Sequence, residues 1–467
     1  MFLGDTIAAI STPLGEGGIG IVRLSGKDAI QIADRLFRSP KGKTLSNIPS
    51  HRIIYGFIKD PSIGETVDEV LVSVMRSPNT YTKEDIVEIN CHGGMFPLRK
   101  ALELAIKEGA RIAEPGEFTR RAFLNGRLDL SEAEAVLDLI RAKTDESRRI
   151  ALEQLKGRLS EKIINLRDRL TGQCALIEAY IDFPEEDIEF DSKNAMIESI
   201  ETILSELASL LKSYDEGRFF REGLGVAIVG KPNVGKSSLL NALLQKDRAI
   251  VTEMPGTTRD IIEECLNING LPLRIIDTAG IREAHDMAEM EGVKRSLRAI
   301  EDADLVIVVI DGSEPIKNED FEVLGKVKDK NTIVTINKSD LISAELRKYR
   351  SAEVTALLLS YSPRLINISA TRGDGLDKLR QVIFDSCLKD WKEQREGIIV
   401  TNLRHKIAIR SAHDSLQNAL KAMDTEQPVE IIALELRDAL DRLGEIVGAV
   451  TTDDILNRIF SDFCIGK

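Results

Sequence analysis

The chain has 467 residues, about three domains at the usual domain size, so a single globule is excluded. Acidic residues (76) outnumber basic ones (63) and the pI is near 5.2, which rules out coating of nucleic acid through bulk positive charge. Any RNA contact has to be local or shared with a partner. At 43% hydrophobic and 30% charged, the composition belongs to folded rather than disordered chains.

Residues 1–120 alternate β-like runs (Gly18–Leu24, Val67–Met75, Ile86–Asn90) with Gly/Pro turns and one predicted helix, Leu98–Gly109. This texture predicts an α+β domain. From Ser131 the period becomes helical, with Ser131-Glu132-Ala133-Glu134 reading as a capping box and Val136, Leu139 and Ile140 opening an apolar stripe. Helix continues to Tyr180, breaks at the acidic run Asp182–Asp191 around Pro184, and resumes over Ala195–Tyr214. Apolar strands then recur at Gly225–Val229, Leu273–Ile276, Leu305–Ile310, Ile333–Ile336 and Leu365–Ile368 with helices between them, the pattern of a parallel sheet covered on both faces. After Trp391 helix returns, with Leu436, Leu440, Leu443 and Val447 on one stripe. The expected organisation is a multidomain α/β chain: an α+β domain at 1–120, a discontinuous helical domain at 121–220 and 387–467, and an inserted Ras-like P-loop domain at 221–386 with a mostly parallel sheet.

Five scattered cysteines fit neither a disulfide framework nor a CxxC metal site. No signal-like run precedes Asp5, and the longest apolar stretch is only strand length, so the expectation is a cytoplasmic protein without a membrane span. Cys464 has the position of a prenylation cysteine, but Gly466 and Lys467 do not suit that motif.

The chemistry concentrates in the inserted domain. Gly230-Lys231-Pro232-Asn233-Val234-Gly235-Lys236-Ser237 matches GxxxxGK[ST] between a strand and the apolar helix Leu239–Leu244. Its amides and the helix N-terminus suit phosphates, Lys236 neutralises β/γ charge as a catalytic candidate, and the Ser237 hydroxyl suits Mg2+. Asp277-Thr278-Ala279-Gly280 follows a strand as a phosphate sensor. Asn337-Lys338-Ser339-Asp340 follows another, where Asp340 can accept from the N1–H and amine of guanine, a pairing adenine cannot supply. Ser369-Ala370-Thr371 follows the last strand and can offer amides to guanine O6. Together these motifs predict GTP. Ile281 stands where many GTPases carry a water-orienting glutamine, leaving Glu283, Asp286, Glu289 and Glu291 as candidates. Thr257 and Thr258 supply switch hydroxyls.

These motifs resemble those of a known family. Together with Gly256-Thr257-Thr258-Arg259-Asp260, the segment Gly116-Glu117-Phe118-Thr119-Arg120-Arg121-Ala122-Phe123-Leu124-Asn125-Gly126-Arg127-Leu128-Asp129-Leu130 and the terminal Phe463-Cys464-Ile465-Gly466-Lys467, they are similar over essentially the whole chain to the MnmE (TrmE) family of tRNA-modification GTPases. The resemblance implies a nucleotide site of Asn233 to Ser238, Thr252, Glu253, Met254, Pro255, Gly256, Thr257, Thr258, Asp277 to Gly280, Asn337, Lys338, Asp340, Ser369 and Ala370. It implies Mg2+ on Ser237 and Thr258, K+ on Asn233, Thr252, Met254 and Thr257 in place of an arginine finger, and Glu289 orienting the water. It further implies a tetrahydrofolate derivative (5-formyl- or methylene-) on Arg23, Glu88, Arg127 and Lys467, with Cys464 as a possible catalytic thiol. Arg127 stands where some members have lysine. The implied partners are a second copy in a homodimer, the FAD-carrying flavoprotein MnmG (GidA) in a heterotetramer or larger complex, and a tRNA whose wobble uridine receives an aminomethyl-type group at C5. A ribosome-assembly switch of the Era type is the alternative, as is a scaffold whose nucleotide only controls dimerisation. Residues 141–170, with nine Lys/Arg against five Asp/Glu, are the first place to seek RNA contact.

Overall fold

The computed structural model describes residues 4–182, 193–247, 265–276, 297–357, 364–388, 391 and 397–467. Seven N-terminal strands, β1 (Ile7–Ile10), β2 (Gly17–Ser25), β3 (Phe37–Arg38), β4 (Arg52–Lys59), β5 (Thr66–Met75), β6 (Ile86–Gly93) and β7 (Arg111–Ile112), form one sheet in the order β3-β4-β5-β6-β2-β1-β7. It is antiparallel apart from the parallel β1–β7 edge, as short hairpin connections dictate. Alternation in β5 and β2 sends Val70, Val72, Val74, Val22 and Leu24 to one face. There they pack with the helices Ala29–Leu36 and Met95–Lys107. The second helix begins three residues before the expected Leu98. Strands β1, β3, β4 and β7, which the sequence reading passed over, are the additional members.

The helix Leu130–Arg141 is capped two residues earlier than expected. Asp129 accepts from the Glu132 amide (2.9 Å) while Glu132 accepts from the Asp129 amide (2.9 Å), so the box is Asp129–Glu132. Ser131 and Glu134 lie inside the helix and are buried against other helices: Ser131 Oγ meets Ser160 Oγ at 2.9 Å, and Glu134 reaches across to His405. Long helices Arg158–Asp182, Lys193–Glu222, Leu403–Asp424 and Val429–Val447 share one core, including Leu166, Leu207, Leu416, Leu436 and Leu443. Leu440 is half-buried beside it. Most of the acidic run after Asp182 lies outside the described residues.

Between these helices stands the second sheet. Strands β8 (Leu224–Val229), β9 (Cys265–Ile268), β10 (Leu271–Ile275), β11 (Leu305–Asp311), β12 (Thr332–Asn337) and β13 (Arg364–Asn367) run in the order β13-β12-β11-β8-β10-β9. Five are parallel; β9 is an antiparallel edge strand that the sequence reading did not anticipate. Every residue of β8 and β11 is buried, which is why both read as unbroken apolar runs. Its root is joined to the helical region by Ile150, Phe219, Phe220 and Trp391, which share the sheet's core, with Phe220 stacked on Trp391 at 4.2 Å. Among the described residues no helix is long and apolar enough to cross a membrane.

Candidate functional site

The P-loop joins β8 to the helix Lys236–Asp247. Gly230, Asn233 and Gly235 hold positive φ (153°, 63° and 97°), the alternation that turns successive amides to one side as an anion cradle. At Gly235 a Cβ would stand 2.3 Å from Asn337 Nδ2, so only glycine fits. Lys236 Nζ donates to the carbonyls of Gly230 (2.9 Å) and Lys231 (2.7 Å), and burial pushes its pKa down. Lys231 makes a buried ion pair with Asp320 (2.6 Å), a support that the motif alone does not disclose.

Asn337 ties the phosphate side of the site to the base side. Its Nδ2 donates to Val234 O (2.9 Å) and its Oδ1 accepts from Ala370 N (3.0 Å). The Ala370 amide is therefore engaged, and an O6 contact from it requires a shared donor. Lys338, in left-handed conformation, pairs with Asp311 at 2.6 Å. Burial raises the Asp311 carboxyl, but Lys338 and Ser313 outweigh it and hold the group below its usual range. Ser369, with the Arg372 charge adding to it, lowers the Asp340 carboxyl. Asp340 Oδ1 is buried without a hydrogen-bond partner among the described residues, as a carboxylate waiting for ligand donors would be.

Ser237 and Asn233, the expected Mg2+ and K+ ligands on this loop, are both solvent-exposed, which suits each to a bound ion. The rest of both sets lies outside the described residues: Thr252, Glu253, Met254, Pro255, Gly256, Thr257 and Thr258, then Asp277, Thr278, Ala279, Gly280 and Ile281, and the water candidates Glu283, Asp286, Glu289 and Glu291.

A second constellation forms where the N-terminal sheet meets the far end of the chain. Register places Arg23 on β2 opposite Glu88 on β6; Arg23 Nη2 lies 2.7 Å from Glu88 Oε1, and Arg23 Nη1 donates to Gly466 O at 3.2 Å. The tail is seated by the amides of Gly116 and Phe118, which donate to the carbonyls of Cys464 (3.4 Å) and Lys467 (3.1 Å). Gly466 has φ +97° and its backbone runs so close to Ile10 O that a Cβ would stand 2.5 Å away. Burial, and next the Arg23 charge, push the Lys467 pKa down. Cys464 is exposed. Arg127 comes to the same region, 4.7 Å from the Tyr81 ring, whose phenol also feels Arg23. Behind them Arg121, almost fully buried, bridges Asp5 (2.6 Å), Glu117 (3.0 Å) and Glu84 (3.1 Å). The Arg120-Arg121 doublet was the one available signal for that network. Most of the basic residues of 141–170 are paired: Arg148 with Asp145, Arg149 with Glu146, Lys156 and Arg158 with Glu153, and Lys162 and Arg169 with Glu206 of another helix. Six cations thus share four carboxylates, so the segment keeps a positive excess.

The model of the MnmE helical domain matches residues 130–464, and that of the GTP-binding protein TrmE N-terminus matches 6–127. The chain belongs to the MnmE family of tRNA modification GTPases. The tRNA modification GTPase MnmE of Acetivibrio thermocellus is 49% identical, with 100% of both chains covered. That of Moorella thermoacetica is 50% identical, again with 100% of each covered. Among solved structures, Era in complex with MgGDPNP and a 16S ribosomal RNA segment is similar at 30% identity over 41% of this chain and 65% of that one, with a TM-score of 0.29. The two MnmE-family models meet between residues 127 and 130, at the turn that carries Arg127 and the Asp129 cap.

Proposed function

We propose that this MnmE-family GTPase works with the flavoprotein MnmG to add an aminomethyl-type group at C5 of the wobble uridine of certain tRNAs, taking the carbon from a tetrahydrofolate held in its N-terminal domain. The observation that carries this reading is the clasp of Arg23 on Glu88 and Gly466, which brings Lys467 and the Cys464 segment to the N-terminal sheet from the other end of the chain. A nucleotide switch alone has no use for that construction. Arg23, Lys467 and Arg127 supply positive charge for an anionic ligand, and Glu88 an acceptor for pterin N–H groups.

In the inserted domain Lys236 and the loop amides bind and orient the phosphates, and Asp340 selects guanine by the donors that its buried oxygen lacks. Ser237 with Thr258 would hold Mg2+, and Asn233 with Thr252, Met254 and Thr257 would hold K+; both ions add positive charge where the transition state gains negative charge. Glu289 would orient the attacking water in place of the glutamine that Ile281 replaces. The working form is a homodimer joined to MnmG, which carries FAD and most of the tRNA contact, in keeping with a net charge of −13.

Mass spectrometry of wobble nucleosides in tRNA from cells lacking this protein tests the reading. We expect loss of the C5-aminomethyl-type uridines, restored by the wild-type gene and not by Arg23→Ala. An unchanged nucleoside profile alongside a ribosome-assembly defect would overturn it in favour of the Era-type switch.

A further inference from the structure

Two of the cations given above to the folate site rest on aromatic faces. The guanidinium carbon of Arg23 stands 5.6 Å from the Phe118 ring centroid, and that of Arg127 stands 4.7 Å from the Tyr81 centroid. Arg23 is also fixed by Glu88 and Gly466 O. Arg127 is different: among the described residues its side chain has no ion pair or hydrogen bond, its charge is felt by Glu132 and Tyr81, and the Tyr81 ring is the face it stands against.

Tyr81 is itself well anchored. Its ring packs against the small core of Ile7, Ala9, Ala113 and Phe118, and its hydroxyl meets the fully buried Thr119 Oγ1 at 2.9 Å. The loop carrying Tyr81 and the turn carrying Arg127 are stitched together on both sides: Asn125 Nδ2 donates to Thr82 O at 2.7 Å and Lys83 Nζ to Gly126 O at 2.8 Å. A rigid aromatic face is thus presented to an exposed cation that, among the described residues, no hydrogen bond fixes. Arginine suits that face better than lysine, because a planar guanidinium stacks where an ammonium makes a point contact.

We propose that Tyr81 is the positioning residue for Arg127 in the anion-binding site of the N-terminal domain: the ring holds the guanidinium in its binding orientation before the ligand arrives, removing part of the ordering entropy from the binding step. The proposal rests on the folate reading given above.

The test is equilibrium dialysis of 5-formyltetrahydrofolate against the full chain and four variants: Tyr81→Phe, Tyr81→Leu, Arg127→Ala and the Tyr81→Leu/Arg127→Ala double. Tyr81→Phe keeps the ring and is expected within about twofold of wild type, whereas Tyr81→Leu is expected to bind about fivefold more weakly, the upper range of a cation–π contact at an exposed site. The double variant is expected to bind no more weakly than Arg127→Ala, since Tyr81 acts through that residue. If Tyr81→Leu does not fold, Tyr81→Met has nearly the same volume without an aromatic face and carries the same expectation. The proposal is overturned if Tyr81→Leu matches wild type, if Tyr81→Phe is as weak as Tyr81→Leu, or if the double variant loses the two factors multiplied. In each of those cases the folate reading stands. Failure of the wild-type chain to bind overturns both.

Discussion

Glu134→Gln probes the junction that closes the helical region around the inserted sheet. Glu134 Oε1 accepts from Asn402 Nδ2 (2.9 Å) and Arg404 Nε (2.9 Å), and Oε2 meets Arg404 Nη2 (2.7 Å) and His405 Nε2 (2.6 Å). Both Glu134 and His405 are buried, so the pair has no water to fall back on. Glutamine keeps the volume but deletes the charge and turns an N–H group toward other donors. Removing one partner of a buried pair is worth about 3–5 kcal/mol. Each kcal/mol moves the midpoint of a domain of this size by roughly 2–4 °C. We therefore predict a fall of about 6–20 °C in the calorimetric transition of the helical region at pH 7. The pH dependence supplies a second check. Burial raises the Glu134 pKa, but the charges of His405 and Arg404 outweigh it and leave the group well below 4.5 in the folded state. The folded chain then holds fewer protons than the unfolded one, so this stabilisation is fully present above about pH 5 and is lost as pH falls below 4.5. The gap between wild type and variant should therefore begin to narrow below pH 4.5 and close only as pH falls through the depressed folded-state value. A shift under 2 °C at neutral pH, or a gap that does not narrow as pH falls below 4.5, would refute the reasoning.

Three further outcomes are expected. GTP turnover should be much faster in K+ than in Na+ at equal ionic strength, because Ile281 does no polar work and Asn233 stands exposed on the loop; equal rates would remove the monovalent ion. Asp340→Asn should shift preference from guanosine toward xanthosine nucleotides in competition binding, and undiminished GTP affinity would take the buried Oδ1 out of the base pocket. Gly235→Ala should abolish nucleotide binding, since the new methyl would strike Asn337 at a residue with φ +97°; retained binding by fluorescent-nucleotide titration would show that the loop gives way.

The nucleotide sheet was legible because its strands are buried on both faces and need no alternation to be seen, as in β11 with its run from Leu305 to Asp311. Strand β9 was not, being four residues long and paired only at an edge. The capping box shows how local rules tie: Asp129–Glu132 and Ser131–Glu134 have the same spacing, and burial of Ser131 and Glu134 against other helices decided between them. The P-loop could be read because its residues are contiguous. The Arg23–Gly466 contact joins residues 443 apart and was reachable only through resemblance. The pairing of the 141–170 cations follows from i, i+3 acids and from Glu206, a residue on another helix.

The same long-range clasp sets a schedule for protein synthesis. The N-terminal sheet and Arg127 leave the ribosome early, but the pocket they line is finished only when Gly466 and Lys467 arrive. At about 5–20 residues per second, that wait lasts roughly 20–70 s. During that interval Arg23 has Glu88 but not its second partner, and Phe118 N–H has no carbonyl to meet. A chain without Gly466 and Lys467 therefore lacks the clasp. The clasp thus ties the N-terminal sheet to a segment synthesised 443 residues after Arg23.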